Sequence, residues 1–155
     1  LALKGAMVTG VDASEEMLAV ARRRAADAGA TVTFDCGDAH RLAYGDRSFD
    51  AVVCLRVLMH TPGWRESLAE LCRVASARVV FDYPALVSAA AIQAVARQAA
   101  HAAGARVEAY RVFTDRSVGD VLEGCGFRVV ERWGGFAGQP LEGDSESQVL
   151  VVAVS

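Results

Sequence analysis

A doubly wound α/β sheet, mostly parallel, is the fold that this sequence predicts. Three observations carry it. Short β-prone runs alternate with helical stretches along the chain. The run Phe49–Leu55 is apolar almost without a break, the pattern of a parallel strand covered on both faces. Three of the strand-like runs lead into an aspartate, at Asp12, Asp38 and Asp82, and open α/β sheets bind ligands at the carboxyl ends of their strands.

The elements follow in order. Met7–Val11 is a β run ending at Asp12, and Ser14 caps a helix with Glu15 and Glu16 in its first turn, where the helix dipole favours anions. Met17, Leu18, Ala21, Ala25 and Ala28 recur at helical spacing until Gly29 stops the helix. Thr31–Asp35 is a second strand, closed by Cys36-Gly37-Asp38, and Tyr44–Ser48 is turn chemistry before the strand Phe49–Leu55. Trp64–Val74 reads as an amphipathic helix and Val79–Phe81 as a strand. Ala85–Ala103 is an alanine-rich helix ended by Gly104, and Arg106–Phe113 is a strand or an extended lid. Thr114 caps a helix through Leu122, and Gly124-Cys125-Gly126 breaks it. Phe127–Trp133 and Gln148–Val154 are the last strands, joined by the polar loop Gly134–Ser147.

The composition bounds the function. A chain of 155 residues suits one domain, residues 1–155, and 53% hydrophobic against 23% charged residues excludes a disordered scaffold. A net charge of −3 argues against a nucleic-acid partner. The longest uncharged run, Tyr83–Ala96, is too short to span a bilayer, and no secretory signal is seen. The cysteines and histidines form no Cys-x-x-Cys or His-x-x-x-His pair, so no metal site is expected. Cys54 and Cys72 sit in apolar runs as small hydrophobes of a reducing compartment, which makes the cytoplasm the expected location.

The aspartates carry the chemistry. A carboxylate after a strand offers two oxygens to the two hydroxyls of a ribose, a role that Asp12 fits; its competing reading is a turn or capping Asp. Asp38 follows a glycine turn, where it can accept from an exocyclic amine, although Gly-Asp is also a common turn pair. Val8–Leu18, Cys36–Ala39 and Ser48–Cys54 together resemble the class I S-adenosylmethionine-dependent methyltransferases. Val57–His60 and Leu68–Val74 are similar to the branch that holds ubiquinone- and menaquinone-biosynthesis methyltransferases. The resemblance runs closely to about residue 82.

The resemblance implies a Rossmann-like sheet with a C-terminal antiparallel strand and S-adenosylmethionine as cofactor. It implies that Asp12 holds the ribose, that Ala13 and Met17 line the adenine pocket, and that Asp38 accepts from the adenine amino group beside Ala39. Leu55 and Arg56 would border the methionine moiety and the sulfonium, Arg56 by its backbone only, because a cation beside a sulfonium is unwelcome. Methyl transfer can proceed by alignment alone. His60 is the histidine nearest the strand ends and the candidate general base; a packing or capping histidine is the alternative. Tyr83 and Tyr110 are candidates to line an acceptor pocket, or surface aromatics; His101 and the run Arg22–Arg24 read as solvated. The apolar segment 85–113 would form a substrate cover, and its character suggests a small or lipid-like acceptor.

The sequence also departs from the family. The glycine-rich loop, Asp-x-Gly-x-Gly-x-Gly in outline, and the first strand have no counterpart, and Leu1–Lys4 resembles the tail of the helix that follows them. Ala75–Arg78 replaces the usual glycine pair before the fifth strand, a change expected only to reshape a turn. The implied strand order is 3-2-1-4-5-7-6, which puts the missing strand between Met7–Val11 and Asp50–Leu55. With neighbours about 4.8 Å apart, an empty slot would be roughly 10 Å wide and would leave buried backbone groups unpaired. The polypeptide is therefore expected to extend upstream of Leu1; otherwise the two strands are expected to close up, or another chain to insert a strand between them. Two other readings stand beside the enzyme: a truncated or degenerate domain without tight cofactor binding, and a nicotinamide-dependent dehydrogenase. The Gly37-Asp38 turn and the paired C-terminal strands oppose the last.

Overall fold

Capping chemistry and apolar spacing place most of the described elements close to where the sequence predicts them; the strand expected at Val79–Phe81 is longer, running from Ala75 to Tyr83. The computed structural model describes residues 1–84, 96, 111, 113–135, 138–141 and 148–154. The chain divides into two compact units, Leu1–Ala43 and Tyr44–Ser155.

In the first unit a 3₁₀ turn at Ala2–Lys4 ends on Gly5 at φ 89°, the left-handed region that glycine enters without a Cβ penalty. Strand β1 (Thr9–Asp12) pairs in parallel with β2 (Thr33–Cys36), with helix α1 (Glu15–Asp27) as the crossover. Met7, expected in the first strand, lies outside it and is fully exposed. Ser14 caps α1 by accepting the Met17 N–H on Oγ at 3.3 Å. The helix ends as expected at Gly29. Gly29 takes φ +65° and donates to Ala26 O, while Ala30 donates to Ala25 O, the paired bonds of a Schellman motif. Leu18 is the buried residue of α1. A Cβ on Gly10 would sit 3.0 Å from the Phe34 ring, so that ring lies directly over the β1 backbone.

In the second unit, β3 (Phe49–Cys54), α2 (Trp64–Val74) and β4 (Ala75–Tyr83) form a parallel strand–helix–strand unit. Helix α3 (Asp115–Gly124) follows, then β5 (Phe127–Trp133) and β6 (Gln148–Val154). The sheet order is β3-β4-β6-β5, and β6 is antiparallel to both neighbours. Taken unit by unit, the two orders reproduce the two halves of the expected sheet with its first strand left out. β1 takes its ladder from β2, and β3 takes its own from β4.

The core of this unit is apolar and interlocked. Leu68, Leu71, Cys72 and Val74 of α2 are buried with Val79, Phe81 and Tyr83 of β4, Val118 and Leu122 of α3, Phe127 and Val152. The Trp64 and Phe113 rings meet edge to face at 4.8 Å, a favoured aromatic geometry. Burial pushes the Cys72 thiol up to about 12, with Cys125 adding to the shift. Arg73 closes the far end of α2. It grips Glu70 with two nitrogens, at 2.7 and 2.8 Å, and reaches Tyr44 O and Asp46 in the preceding turn. Glu70 first and Asp46 second hold its guanidinium charge more firmly than usual.

Two expectations need correction. β3 is not covered on both faces: of its residues only Cys54 is buried, and among the described residues β4 is its one ladder partner. Ala75–Arg78 is not a turn, because α2 runs straight into β4. The extra residue is absorbed by a bulge, where two steps along β3 match three along β4 between Phe49↔Ala75 and Ala51↔Arg78. The expected helix Ala85–Ala103 with its Gly104 stop, His101, Tyr110 and most of the polar loop 134–147 lie outside the described residues. Of the expected segment Arg106–Phe113, Arg111 donates its N–H to Met59 O at 2.9 Å and Phe113 to Pro84 O at 3.0 Å.

Leu68 has no exposed surface. Leu68→Ala is expected to lower the unfolding free energy by about 2–5 kcal/mol, read as a shifted denaturation midpoint at constant slope. A change below about 1 kcal/mol would show that this region repacks around the cavity.

Candidate functional site

In the first unit the parallel register sets Asp12 opposite Cys36, so the two strands end level and their exits lie side by side. The exits are tied together. Gly37 donates its N–H to Asp12 O at 3.1 Å, and the Cys36 thiol lies 3.7 Å from Ala13 O. A Cβ on Gly37 would stand 3.1 Å from Val11 Cγ1, which explains the small residue in this turn. Asp12 Oδ1 accepts the Ser14 N–H at 2.8 Å. The turn role weighed against ligand binding is therefore real, and it engages one oxygen. No hydrogen bond is made to Oδ2 among the described residues, and the side chain is exposed. Ala13 and Met17 flank it, Met17 with 56% of its surface open although it sits in the first turn of a well-capped helix. An exposed methionine beside an exposed carboxylate offers an apolar face and an acceptor together.

Asp38 is exposed immediately beyond β2, and Ala39 next to it is half-buried. Asp38 Oδ1 accepts the backbone N–H of His40 at 2.8 Å, and His40 Nδ1 lies 2.6 Å from the same oxygen, where a protonated ring nitrogen donates. The backbone bond first and the side-chain bond second hold this carboxyl below its usual range. The carboxylate is thus kept in its acceptor-only form. Sequence reasoning left His40 without a role. An acid two residues before a histidine in a turn was the signal that it fastens Asp38.

In the second unit the chain leaves β3 at Leu55 and Arg56, both exposed. Arg56 takes φ 62°, and its N–H donates to Asp82 Oδ1 at 2.5 Å. Asp82 lies on β4, fully buried, and its Oδ2 has no hydrogen-bond partner among the described residues. Burial pushes the Asp82 carboxyl up, opposed by the Arg56 N–H and charge. The neighbouring Cys54 thiol is pushed up to about 12, by its own burial first and by Asp82 second. Past the turn, Leu58–His60 forms a 3₁₀ turn that buries Leu58 and Met59 and leaves His60 exposed. Leu55, Arg56 and His60 therefore share one loop, as the sequence placed them. Tyr83 is a correction: it is neither a pocket-lining nor a surface aromatic. It is fully buried, and its hydroxyl donates to Asp115 Oδ1 at 2.8 Å, while Arg132 holds Asp115 Oδ2. Burial and Asp115 raise its pKa.

Among the described residues no group of three or more His, Cys, Asp or Glu side chains is placed to hold a metal ion. No described helix is long and apolar enough to cross a membrane.

Comparison with known proteins adds the following. Residues 1–81 match the family model described as a methyltransferase domain. The chain is 43% identical over 63 residues to a ubiquinone biosynthesis O-methyltransferase of Idiomarina loihiensis, a stretch covering 40% of this chain and 26% of that protein. It is 39% identical over 67 residues to a demethylmenaquinone methyltransferase of Deinococcus radiodurans, covering 43% and 28%. The matched stretch thus spans about a quarter of the length of these relatives. Among solved structures, a magnesium protoporphyrin IX methyltransferase from Synechocystis PCC 6803 with bound SAH superposes at a TM-score of 0.75, with 21% identity, over 99% of this chain and 67% of that one. At that identity the likeness shows the fold: a Rossmann-like α/β sheet.

The buried Asp82 makes stability depend on pH. Unfolded aspartate titrates near its ordinary value of about 3.9. Between there and the raised folded value the folded state holds the extra proton, so stability falls as pH rises through that window. Denaturant titrations across the window are expected to show this decline in the parent protein and its loss in Asp82→Asn. Parallel profiles for the two would show that Asp82 ionises in the folded state as it does in the unfolded chain.

Proposed function

This chain belongs to the methyltransferase-domain family, and from that premise we propose that it transfers the methyl group of S-adenosylmethionine to a small or lipid-like acceptor. The observation that carries the reading is the pair of exposed carboxylates, Asp12 and Asp38, at the level carboxyl ends of the parallel strands β1 and β2. An adenosine presents two such features to be read, a ribose diol and an exocyclic amine. Asp12 would take the diol, since its unengaged Oδ2 and the second lone pair of Oδ1 remain as acceptors. Asp38, fastened by His40, would accept from the amine, with Ala39 beside the ring. The exposed Ala13 and Met17 would cover the adenine face. Leu55 and Arg56 are assigned to the methionine end, Arg56 by its backbone. The residues present fit the cofactor in chemistry.

When bound, S-adenosylmethionine supplies an electrophilic methyl group on a sulfonium. The chain is left to bind, orient and, where the acceptor needs it, remove a proton. His60, exposed one residue beyond the buried Leu58-Met59 pair, is proposed as that base. Residues 85–113, mostly outside the described residues, are proposed as the acceptor-side cover of a single methyltransferase domain, on the apolar character of their sequence. The likeness to a ubiquinone biosynthesis O-methyltransferase and a demethylmenaquinone methyltransferase supports a lipid-like acceptor.

Calorimetric titration of the full-length protein with S-adenosylhomocysteine and with NAD tests the reading. Binding of the first alone is the expected result. Binding of NAD would favour a dehydrogenase, and binding of neither a degenerate domain. Asp12→Ala is expected to weaken S-adenosylhomocysteine binding by about 1.5–3 kcal/mol, roughly tenfold to a hundredfold. An unchanged dissociation constant removes Asp12 from the site. For His60→Ala, a positioned base predicts a loss of about 10²–10⁴ in turnover. A loss under about tenfold at every pH would assign catalysis to alignment alone.

A further inference from the structure

Among the described residues, two non-glycine residues take a positive φ, Arg47 and Arg56. Arg47 lies in the turn before β3, where its N–H donates to Arg73 O. Arg56 is different, because its partner is a buried side chain. At φ 62° it occupies a region uncommon for a long side chain. Its N–H points at Asp82 Oδ1, 2.5 Å away. Asp82 itself has no exposed surface, and its second oxygen is sequestered without a partner among the described residues. Packing does not account for a carboxyl at that position, since an apolar side chain would occupy it with no unsatisfied oxygen. What the carboxyl provides across the strand exit is an acceptor aimed at the Arg56 N–H. Costly local arrangements of this kind persist where the surroundings hold them for a purpose.

We propose that Asp82 is a positioning residue: by accepting the Arg56 N–H it holds Arg56 in the left-handed conformation and so fixes the direction in which the chain leaves β3 at Leu55. The proposal rests on the reading above, in which Leu55 and the Arg56 backbone border the methionine end of the cofactor. Asp82 touches no reacting atom. Its effect passes through the backbone of the loop that also carries His60.

A purely structural role and a positioning role predict different things. If Asp82 only supported the fold, stability and cofactor affinity would move together on substitution. If it positions the loop, Asp82→Leu keeps or raises the melting temperature, because a buried unsatisfied oxygen is removed. The same change frees Arg56 from its acceptor and weakens S-adenosylhomocysteine binding by about tenfold. Asp82→Asn retains an oxygen for the Arg56 N–H and binds within about twofold of the parent.

The test is calorimetric titration with S-adenosylhomocysteine, together with thermal melting, on the full-length parent and the Leu, Ala and Asn variants. The expected result is a Leu variant as stable as the parent but weaker in binding, with the Asn variant restored. No binding by the parent overturns the cofactor reading and this proposal with it. Binding by the parent and equally by the Leu variant overturns the positioning role alone. The role is also overturned if Asn loses as much affinity as Leu, or if Leu loses affinity and stability together. Should the Leu variant fail to melt cooperatively, the Ala variant is read in its place; failure of both assigns Asp82 to the fold and overturns the proposal.

Discussion

Parallel strand pairing is the constraint on which the rest of this structure depends. Two parallel strands cannot be joined by a hairpin, so each pair needs a crossover, and here α1 serves β1 and β2 while α2 serves β3 and β4. Both members of a pair then end at the same edge, and whatever follows them is brought together there. That is how residues 26 positions apart in the chain, Asp12 and Asp38, come to stand at the neighbouring exits of β1 and β2. The same arrangement lets Asp82 on β4 reach the N–H of Arg56 beyond β3. The arrangement stands because α2 covers its pair with an apolar face, its buried Leu68 and Leu71 packed in one core with Val79 and Phe81.

Within that frame, polar groups are treated differently in the two units. Asp12 and Asp38 are exposed and lean on nearby backbone N–H groups, an arrangement that costs little and leaves acceptor capacity open to solvent. Asp82 is buried and half-satisfied. Tyr83, the next residue, shows the ordinary solution for a buried polar group: its hydroxyl is matched by Asp115, which is in turn held by Arg132. The contrast between adjacent residues on one strand locates the unusual feature without reference to any ligand.

Much of the fold was legible in the sequence because its signals are local. Ser14, Gly29 and Thr114 each govern the turn in which they sit, and each behaves as its chemistry dictates. The candidate residues Asp12, Asp38, Leu55, Arg56 and His60 were legible for the same reason, each lying just beyond a strand-like run. The features that escaped are set by tertiary context. Nothing in the string Leu55-Arg56-Val57 announces a left-handed arginine, since the acceptor that holds it lies 26 residues downstream. The apolar run of β3 announces burial, yet burial depends on what stands beside the strand. Tyr83 read as a pocket-lining or surface aromatic, because the partner that lets its hydroxyl be buried, Asp115 of α3, lies 32 residues downstream. The continuous passage from α2 into β4 was hidden as well, since a bulge is a matter of register between two strands.

The position of β6 has a consequence for the order of assembly. This strand follows β5 in the chain but lies between β4 and β5 in the sheet. β5 therefore finds its ladder only when β6 arrives, and β6 must reach back about seventy residues to pair Val152 with Val79. During synthesis, β3, α2 and β4 can associate as soon as they leave the ribosome, because their contacts are near in sequence. The outer half of the sheet cannot. Until β6 has been translated, the edge of β4 that it covers stays open to pairing with another strand.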